Sequence, residues 1–335
     1  MSLLRVDQLR VSFSTRAGDV EVVRGLDLKV DEGESVAIVG ESGAGKSLSM
    51  LAILGLAPSA QVSGRAEWRG RDLIAMSARE RRAILGAEIG VVFQDPSSSL
   101  HPLRRVGDQI ADVIRAHTRT SARLAQARAV ELLDLVGIPE APVRRRDYPH
   151  QFSGGQRQRI LIAMAIALEP ALLIADEATT ALDVTIQAQV LELLRRLQRE
   201  LGLAIIVITH DLGVVAEMAD RVVVLYAGKE VEQAPVRQIF YGAHHPYTLG
   251  LLESLPGVGR DRLVAIPGTP PSPGDLPSGC SFHPRCRYAL ERCDRDEPFL
   301  LDVAGDGSHC SACWLPVDEV GPGAHESTNR AFGAP

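Results

Sequence analysis

Gly40-Glu41-Ser42-Gly43-Ala44-Gly45-Lys46-Ser47 follows directly on the apolar run Glu34–Val39 and leads into Leu48–Leu56, a stretch of helical character. The octapeptide fits G-x-x-x-x-G-K-[ST], with a strand before it and a helix after it, the context in which this pattern cradles phosphates. Its glycines let backbone N–H groups turn inward, and the helix N-terminus adds a dipole that favours anions. Lys46 is expected to neutralise the β- and γ-phosphates, and the Ser47 hydroxyl to ligate Mg²⁺. Lys46 is one of only three lysines, with Lys29 and Lys229, in a chain whose other basic residues are arginine. The stretch predicts a nucleotide site built from Gly40, Glu41, Ser42, Gly43, Ala44, Gly45, Lys46 and Ser47.

Outward from this loop, strands and helices alternate. Ile89–Phe93 reads as a strand bounded by Asp95-Pro96. Ala129, Leu132, Leu133 and Val136 recur at helical spacing, with Gly137 and Pro139 as stop signals. Leu172–Ala175 reads as a buried strand. Val190, Leu193, Leu194, Leu197 and Leu201 form a helical stripe closed by Gly202, and Leu203–Ile208 is a β-branched run suited to a strand covered on both faces. This alternation predicts a mostly parallel α/β sheet, in one copy and without tandem repeats.

Composition narrows the function. The 335 residues are 45% hydrophobic and 23% charged, with a formal net charge of −6 and only 4% aromatics. Such a chain has neither the positive field nor the stacking rings that nucleic acid requires. The start, MSLLRVDQLR, lacks a basic region followed by an apolar one, and the runs Ile160–Leu168 and Leu203–Ile208 are far short of the ~20 residues of a spanning helix. The expectation is a cytoplasmic protein whose membrane role, if it has one, is peripheral.

A phosphate loop alone does not separate kinases, GTPases, helicases and transport ATPases. Phe152-Ser153-Gly154-Gly155-Gln156-Arg157-Gln158-Arg159 does, because it resembles the LSGGQ signature of ATP-binding-cassette (ABC) proteins, with Phe in the place of Leu. A simpler reading is a Ser-Gly-Gly turn capping a helix that starts near Gln156; both can hold. The ABC resemblance implies roles for further residues. Leu172-Leu173-Ile174-Ala175-Asp176-Glu177 resembles Walker B, with Asp176 on Mg²⁺ and Glu177 polarising the attacking water. Ala181-Leu182-Asp183 resembles the D-loop, and His210 the switch histidine that contacts the γ-phosphate. Gln94 resembles the Q-loop glutamine, which touches Mg²⁺ or water, and Phe13 is the candidate aromatic for stacking on adenine.

The likeness extends beyond the superfamily. Phe93-Gln94-Asp95-Pro96 with Ser99-Leu100, Tyr148-Pro149-His150-Gln151-Phe152 and Asp183–Gln189 resemble the dipeptide/oligopeptide/nickel importer ATPases. So do Val224-Leu225-Tyr226-Ala227-Gly228, His245-Pro246-Tyr247-Thr248, Leu251-Leu252 and Ser254-Leu255-Pro256. Ser97-Ser98 and His101 depart from the Met-Thr and Asn more usual there. The resemblance covers residues from about 3 to 315.

All five cysteines lie at or after Cys280, beyond a stretch carrying Pro267, Pro270, Pro271, Pro273 and Pro277. Cys280, Cys286 and Cys293 are followed by His309, Cys310 and Cys313, without two C-x-x-C knuckles to form a pair. That spacing suits an Fe–S cluster better than a zinc ribbon, with structural Zn²⁺ or unliganded thiols as alternatives. The family resemblance implies a [4Fe–4S] cluster on Cys280, Cys286, Cys293 and Cys313, its fourth cysteine standing four residues after a histidine. Because every thiol lies past the prolines, the module is expected to leave ATP affinity untouched. Arg79–Arg82 and Arg144–Arg146 read as solvated faces.

The expected fold is a P-loop α/β core with an antiparallel β flank and a helical subdomain at about 96–165. The expected division is an ATPase domain over 1–258, a Pro-rich linker over 259–279, a Cys-rich module over 280–320 and a disordered tail over 321–335. The resemblance implies an ATPase subunit of a bacterial di-/oligopeptide importer on the cytoplasmic face of the inner membrane. Its implied partners are a second ABC ATPase, a paralogue in preference to an identical copy, two membrane permeases and, indirectly, an extracytoplasmic binding protein. Nickel or glutathione import is the alternative cargo. A non-transport ABC ATPase of DNA repair or translation is the rival class, disfavoured by the single cassette and by the lack of a basic surface.

Overall fold

The computed structural model describes residues 2–16, 18–94, 99–179, 182–255 and 265–316. Asp95, Pro96, Ser97, Ser98, Ala181 and Pro256, together with 259–264 of the linker and the tail at 321–335, lie outside the described residues. In chain order the first elements are β1 (Ser2–Thr15), β2 (Gly18–Asp31), β3 (Ser35–Val39), α1 (Lys46–Ile53), β4 (Gln61–Trp68) and β5 (Arg71–Asp72). Then come α2 (Ala78–Ile84), β6 (Ile89–Val92), α3 (Val106–His117), α4 (Ala122–Leu135), α5 (Ala141–Arg144) and α6 (Gly154–Ala165). β7 (Leu172–Asp176), α7 (Val184–Leu201), β8 (Ala204–Thr209), α8 (Leu212–Met218) and β9 (Arg221–Tyr226) follow. β10 (Lys229–Pro235), α9 (Val236–Gly242), α10 (Pro246–Glu253), β11 (Leu301–Asp302) and β12 (Cys310–Ser311) complete the described elements.

The chain forms two compact units. One comprises Met1–Leu3, Val30–Ser35 and Ala75–Ile208. Its β6, β7 and β8 run parallel, with Ile89 opposite Leu172 and Leu172 opposite Ala204. β7 and β8 are buried at every position, which is why their sequences are apolar without alternation. Around them lie α2 to α7. α2 opens on a Ser77–Glu80 capping box, and α7 closes at Gly202, whose φ of 64° is left-handed. The helical subdomain expected at about 96–165 is thus represented by α3, α4, α5 and α6.

The other unit comprises Leu4–Lys29, Val36–Ile74 and Thr209–Pro335. An antiparallel sheet ordered β2-β1-β4-β5 supplies the expected β flank. In β1 the buried positions step by two from Leu4 to Val6, then by three to Leu9. A bulge between Asp7 and Arg10 and a positive φ at Gln8 absorb the extra residue, keeping the apolar set on one face. Elsewhere in this unit β3 pairs in parallel with β9, β9 antiparallel with β10, and β10 antiparallel with β12.

The β9–β10 connection is two residues long, Ala227 (φ 48°) and Gly228 (φ 79°), the conformation of a tight hairpin turn. A Cβ at Gly228 would fall 2.1 Å from the Val22 carbonyl oxygen. The turn's backbone bonds to both neighbours: Gly228 N–H donates to the Ala44 carbonyl (3.2 Å), and Arg24 N–H donates to the Gly228 carbonyl (2.7 Å). The hairpin therefore fixes the end of the phosphate loop against β2.

Candidate functional site

The phosphate loop springs from β3 with Gly40 at φ 152°, Gly43 at 82° and Gly45 at 92°. At Gly40 a Cβ would stand 2.2 Å from the Leu225 carbonyl oxygen, so only glycine allows the strand to turn there. Gly45 is the left-handed N-cap of α1, and Lys46 is its first residue. Lys46 is only 6% exposed, and its Nζ donates to the carbonyls of Gly40 (2.8 Å) and Glu41 (3.0 Å). A buried ammonium held by its own loop at a helix N-terminus is a ready counter-charge for phosphates. Phe13 is half-buried on β1, and His210 is exposed just before α8; both belong to the same unit as the loop.

The acids stand at the end of β7 in the other unit. Asp176 is 8% exposed. Glu177 has φ 46°, a left-handed conformation unfavourable for a side chain of this kind, and its N–H donates to the Ile208 carbonyl (2.9 Å). Gln94 Nε2 donates to Glu177 Oε2 at 2.7 Å, so the Q-loop glutamine and the expected water-polarising acid meet directly across 83 residues.

The signature turn is held within this unit. Ser153 is the N-cap of α6 in a full capping box: its Oγ accepts from Gln156 N (3.3 Å), and Gln156 Oε1 accepts from Ser153 N (3.2 Å). Ser153 and Gly154 are exposed, while Phe152 and Gly155 are buried. Asp183 is the N-cap of α7, its Oδ1 accepting from Ile186 N (3.0 Å). The solvated reading of Arg144 needs correction. Its guanidinium stacks 4.1 Å over the Phe152 ring and donates to the Gln151 carbonyl (3.1 Å). A Phe in place of Leu gives this arginine a π face to brace.

The cysteine segment packs on the unit that holds the phosphate loop. Phe282 is 3% exposed and touches Tyr226 and Tyr247, its ring centroid 5.2 Å and 5.4 Å from theirs. Cys280, Cys286, Cys293 and Cys313 all line one small apolar hollow with Phe282 and Trp314. Cys310 lies on β12, its thiol directed at the Gly307 carbonyl (3.9 Å). Burial raises the thiol pKa of Cys280 to about 11 and of Cys313 to about 12. Among the described residues no three His, Cys, Asp or Glu side chains are gathered tightly enough for a single metal ion. Thiolates around one tetrahedral Zn²⁺ stand only ~3.8 Å apart, given a Zn–S bond of ~2.3 Å.

Residues 23–180 match the ABC transporter family, and residues 231–293 match the C-terminal region of oligopeptide/dipeptide transporters. The oligopeptide transport ATP-binding protein OppD of Bacillus subtilis is 49% identical over 319 residues, covering 93% of this chain and 88% of its own. The dipeptide transport ATP-binding protein DppD of Escherichia coli is 47% identical over 325 residues, covering 96% and 99%. The chain belongs to this family of ABC transporter ATP-binding subunits. A solved dimeric ATP-binding cassette in a post-hydrolysis state with ADP and Pi matches 70% of this chain and 99% of its own, at 27% identity and a TM-score of 0.63. The protein is accordingly an ABC-type ATPase with the cassette fold, and ATP is its nucleotide. No helix among its described residues is long and apolar enough to cross a membrane.

In this ABC subunit the phosphate loop is also held by residues that no sequence motif marks. Glu41 reads in sequence only as a loop member, yet its carboxylate receives both Arg285 Nη1 (2.6 Å) and Nη2 (2.9 Å), and its N–H donates to the Tyr247 hydroxyl (2.7 Å). Arg285 is 244 residues away in sequence, so no local pattern announces the pair. The only signal was the family likeness around Tyr226 and Tyr247. Although it lies beyond the prolines, the module reaches the phosphate loop through Arg285.

Proposed function

We propose that this ATPase subunit powers import of di- and oligopeptides through an ABC transporter, bound peripherally to the cytoplasmic face of the bacterial inner membrane. The observation that carries this reading is the near-full-length identity to oligopeptide and dipeptide transport ATP-binding proteins, the match to their C-terminal region included. Its partners are two permeases, an extracytoplasmic binding protein and a second, paralogous cassette. One chain holds one phosphate loop and one signature, so a complete site draws Ser153, Gly154, Gly155 and Gln156 from the partner cassette.

Each side chain then has a defined task. Lys46 and the loop N–H groups bind the phosphates, Phe13 stacks on the adenine, and Ser47, Asp176 and Gln94 hold Mg²⁺, which supplies charge neutralisation when bound. Glu177 orients and polarises the attacking water, kept in place by the Gln94 amide, and His210 contacts the γ-phosphate. Phe152 seats the signature, and Asp183 links it to α7. Cys280, Cys286, Cys293 and Cys313 hold a [4Fe–4S] cluster that cross-links the C-terminal segment. The proposed division is an ATPase domain over 1–258, a linker over 259–279, a Cys-rich module over 280–320 and a tail over 321–335; the described part of the module shares a core with the cassette strands.

The test is transport itself. The subunit is reconstituted in lipid vesicles with its permease pair, partner cassette and binding protein. Uptake of a labelled dipeptide and a labelled pentapeptide is compared with that of Ni²⁺ and glutathione. ATP-dependent accumulation of either peptide is expected; accumulation of Ni²⁺ or glutathione alone would replace the cargo assignment.

A further inference from the structure

We propose that Arg285 is a positioning residue for the phosphate loop, through which the cysteine module sets the affinity for ATP. Glu41 is the junction. Its carbonyl accepts from Lys46 Nζ (3.0 Å), its N–H donates to Tyr247 Oη (2.7 Å), and its carboxylate takes the two-pronged guanidinium of Arg285. The residue that orients the phosphate-binding lysine is thus clamped from the module.

Arg285 is itself fixed. Its Nε donates to the Pro267 carbonyl (2.8 Å) and its Nη1 to the Tyr226 hydroxyl (3.2 Å), and the residue is 8% exposed. It sits in the single turn His283–Arg285, between the ring plug Phe282 and the cluster thiol Cys286. Planar guanidinium and carboxylate match in geometry, so the pair restrains direction as well as distance. Charge gives a second reason for the pairing. A carboxylate in the second position of a phosphate loop repels the anion the loop must bind, and Arg285 cancels that repulsion where solvent screens it little. Removing the arginine therefore loosens the loop and uncovers a negative charge beside it, both of which weaken ATP binding. Glu177, Gln94 and Asp176 are untouched, so the chemical step keeps its machinery.

The inference rests on ATP binding in this loop and not on which metal the thiols hold. Equilibrium binding of a fluorescent ATP analogue is measured on the full-length subunit, and KM and kcat on the complex. Arg285→Ala should raise Kd and KM about tenfold while kcat at saturating ATP stays within about twofold. Arg285→Lys should fall between Arg285→Ala and the native protein. In a Glu41→Gln background, where no charge remains to cancel, Arg285→Ala should add less than about twofold. An unchanged Kd in Arg285→Ala, or the same tenfold loss with Glu41 and with Gln at that position, would overturn the proposal. Iron and zinc are quantified in every variant. If Arg285→Ala loses its metal, the Lys variant in the two backgrounds decides by the same criterion. Failure of the nucleotide reading would show differently, as no saturable binding in the native protein.

Discussion

Replacing Glu177 by Gln removes one negative charge and almost nothing else, and the structure allows both consequences to be sized. The native side chain accepts from Gln94 Nε2 at 2.7 Å, a hydrogen bond to an ionised group. Such bonds contribute about 1.5–3 kcal/mol and neutral ones about 0.5–1.5, so the amide keeps the contact at a loss of about 1 kcal/mol. Any backbone strain at φ 46° is the same for both side chains and cancels. The fold should therefore survive. Catalysis should not: a positioned carboxylate acting on water contributes about 10²–10⁴-fold, or about 3–5 kcal/mol of transition-state stabilisation. The assay is phosphate release by the assembled transporter at saturating ATP, set beside equilibrium ATP binding and gel filtration of the variant. Turnover should drop at least about a hundredfold, with ATP still bound and a closed cassette pair trapped. Turnover within about tenfold of native, with binding intact, would refute the role given to Glu177 and to the Gln94 contact that orients it.

Lys46→Ala should weaken ATP binding by about 10–100-fold, because it deletes a buried ammonium, whereas Ser153→Arg should leave binding to its own phosphate loop within about threefold and stop hydrolysis in the partner's. Equal loss of affinity in the two variants, by equilibrium binding, would defeat the shared-site reading. Cys313→Ser should release iron and bleach absorbance near 400 nm, while Cys310→Ser, outside the hollow, should do neither; the reverse pattern would reassign the fourth ligand. Burial and the charge of Asp27 push the Glu230 carboxyl up to about 8 from its ordinary 4.5. The folded chain keeps a proton there that the unfolded chain has lost, so this group's contribution is full below pH 4.5 and declines as pH rises to 8, by about 5 kcal/mol in all. Glu230→Gln should flatten that decline in denaturant midpoints measured from pH 5 to 8; parallel curves for native and variant protein would show that no buried neutral carboxyl exists.

What could be read from the sequence was local in origin. The phosphate loop declares itself because a turn from strand to helix needs glycine at set positions, and Gly40 and Gly45 do adopt the conformations that require it. The strands β7 and β8 were legible because burial on both faces demands unbroken apolar runs. Phe13, by contrast, was found only by its distance from the loop, and its half-burial on β1 fits a core residue as well as a stacking one. The β1 bulge at Gln8, the brace of Arg144 on Phe152 and the reach of Arg285 to Glu41 left no mark in periodicity. Each depends on which distant strands and turns come together, and a single arginine in a basic run looks the same whether solvated or stacked.

The signature turn shows why two readings of one motif need not compete. Ser153 caps α6 with its Oγ, as the plain structural reading holds, and the cap also presents a hydroxyl beside the exposed Gly154, the first residue of the helix. Gly155 is buried for a reason unrelated to phosphate: a Cβ there would lie 2.3 Å from Ile186 Cγ2 on α7. Ile186 is also the residue whose N–H is capped by Asp183. The turn proposed to reach a partner's nucleotide and the aspartate that follows β7 are thus joined through one helix-to-helix contact. A larger residue at Gly155 would displace the first turn of α7 and so disturb Asp183, although Asp183 is far from it in sequence. Loss of hydrolysis in such a variant would report on both motifs together, which is why Ser153, whose side chain is exposed and free of that contact, is the position from which phosphate recognition can be tested on its own.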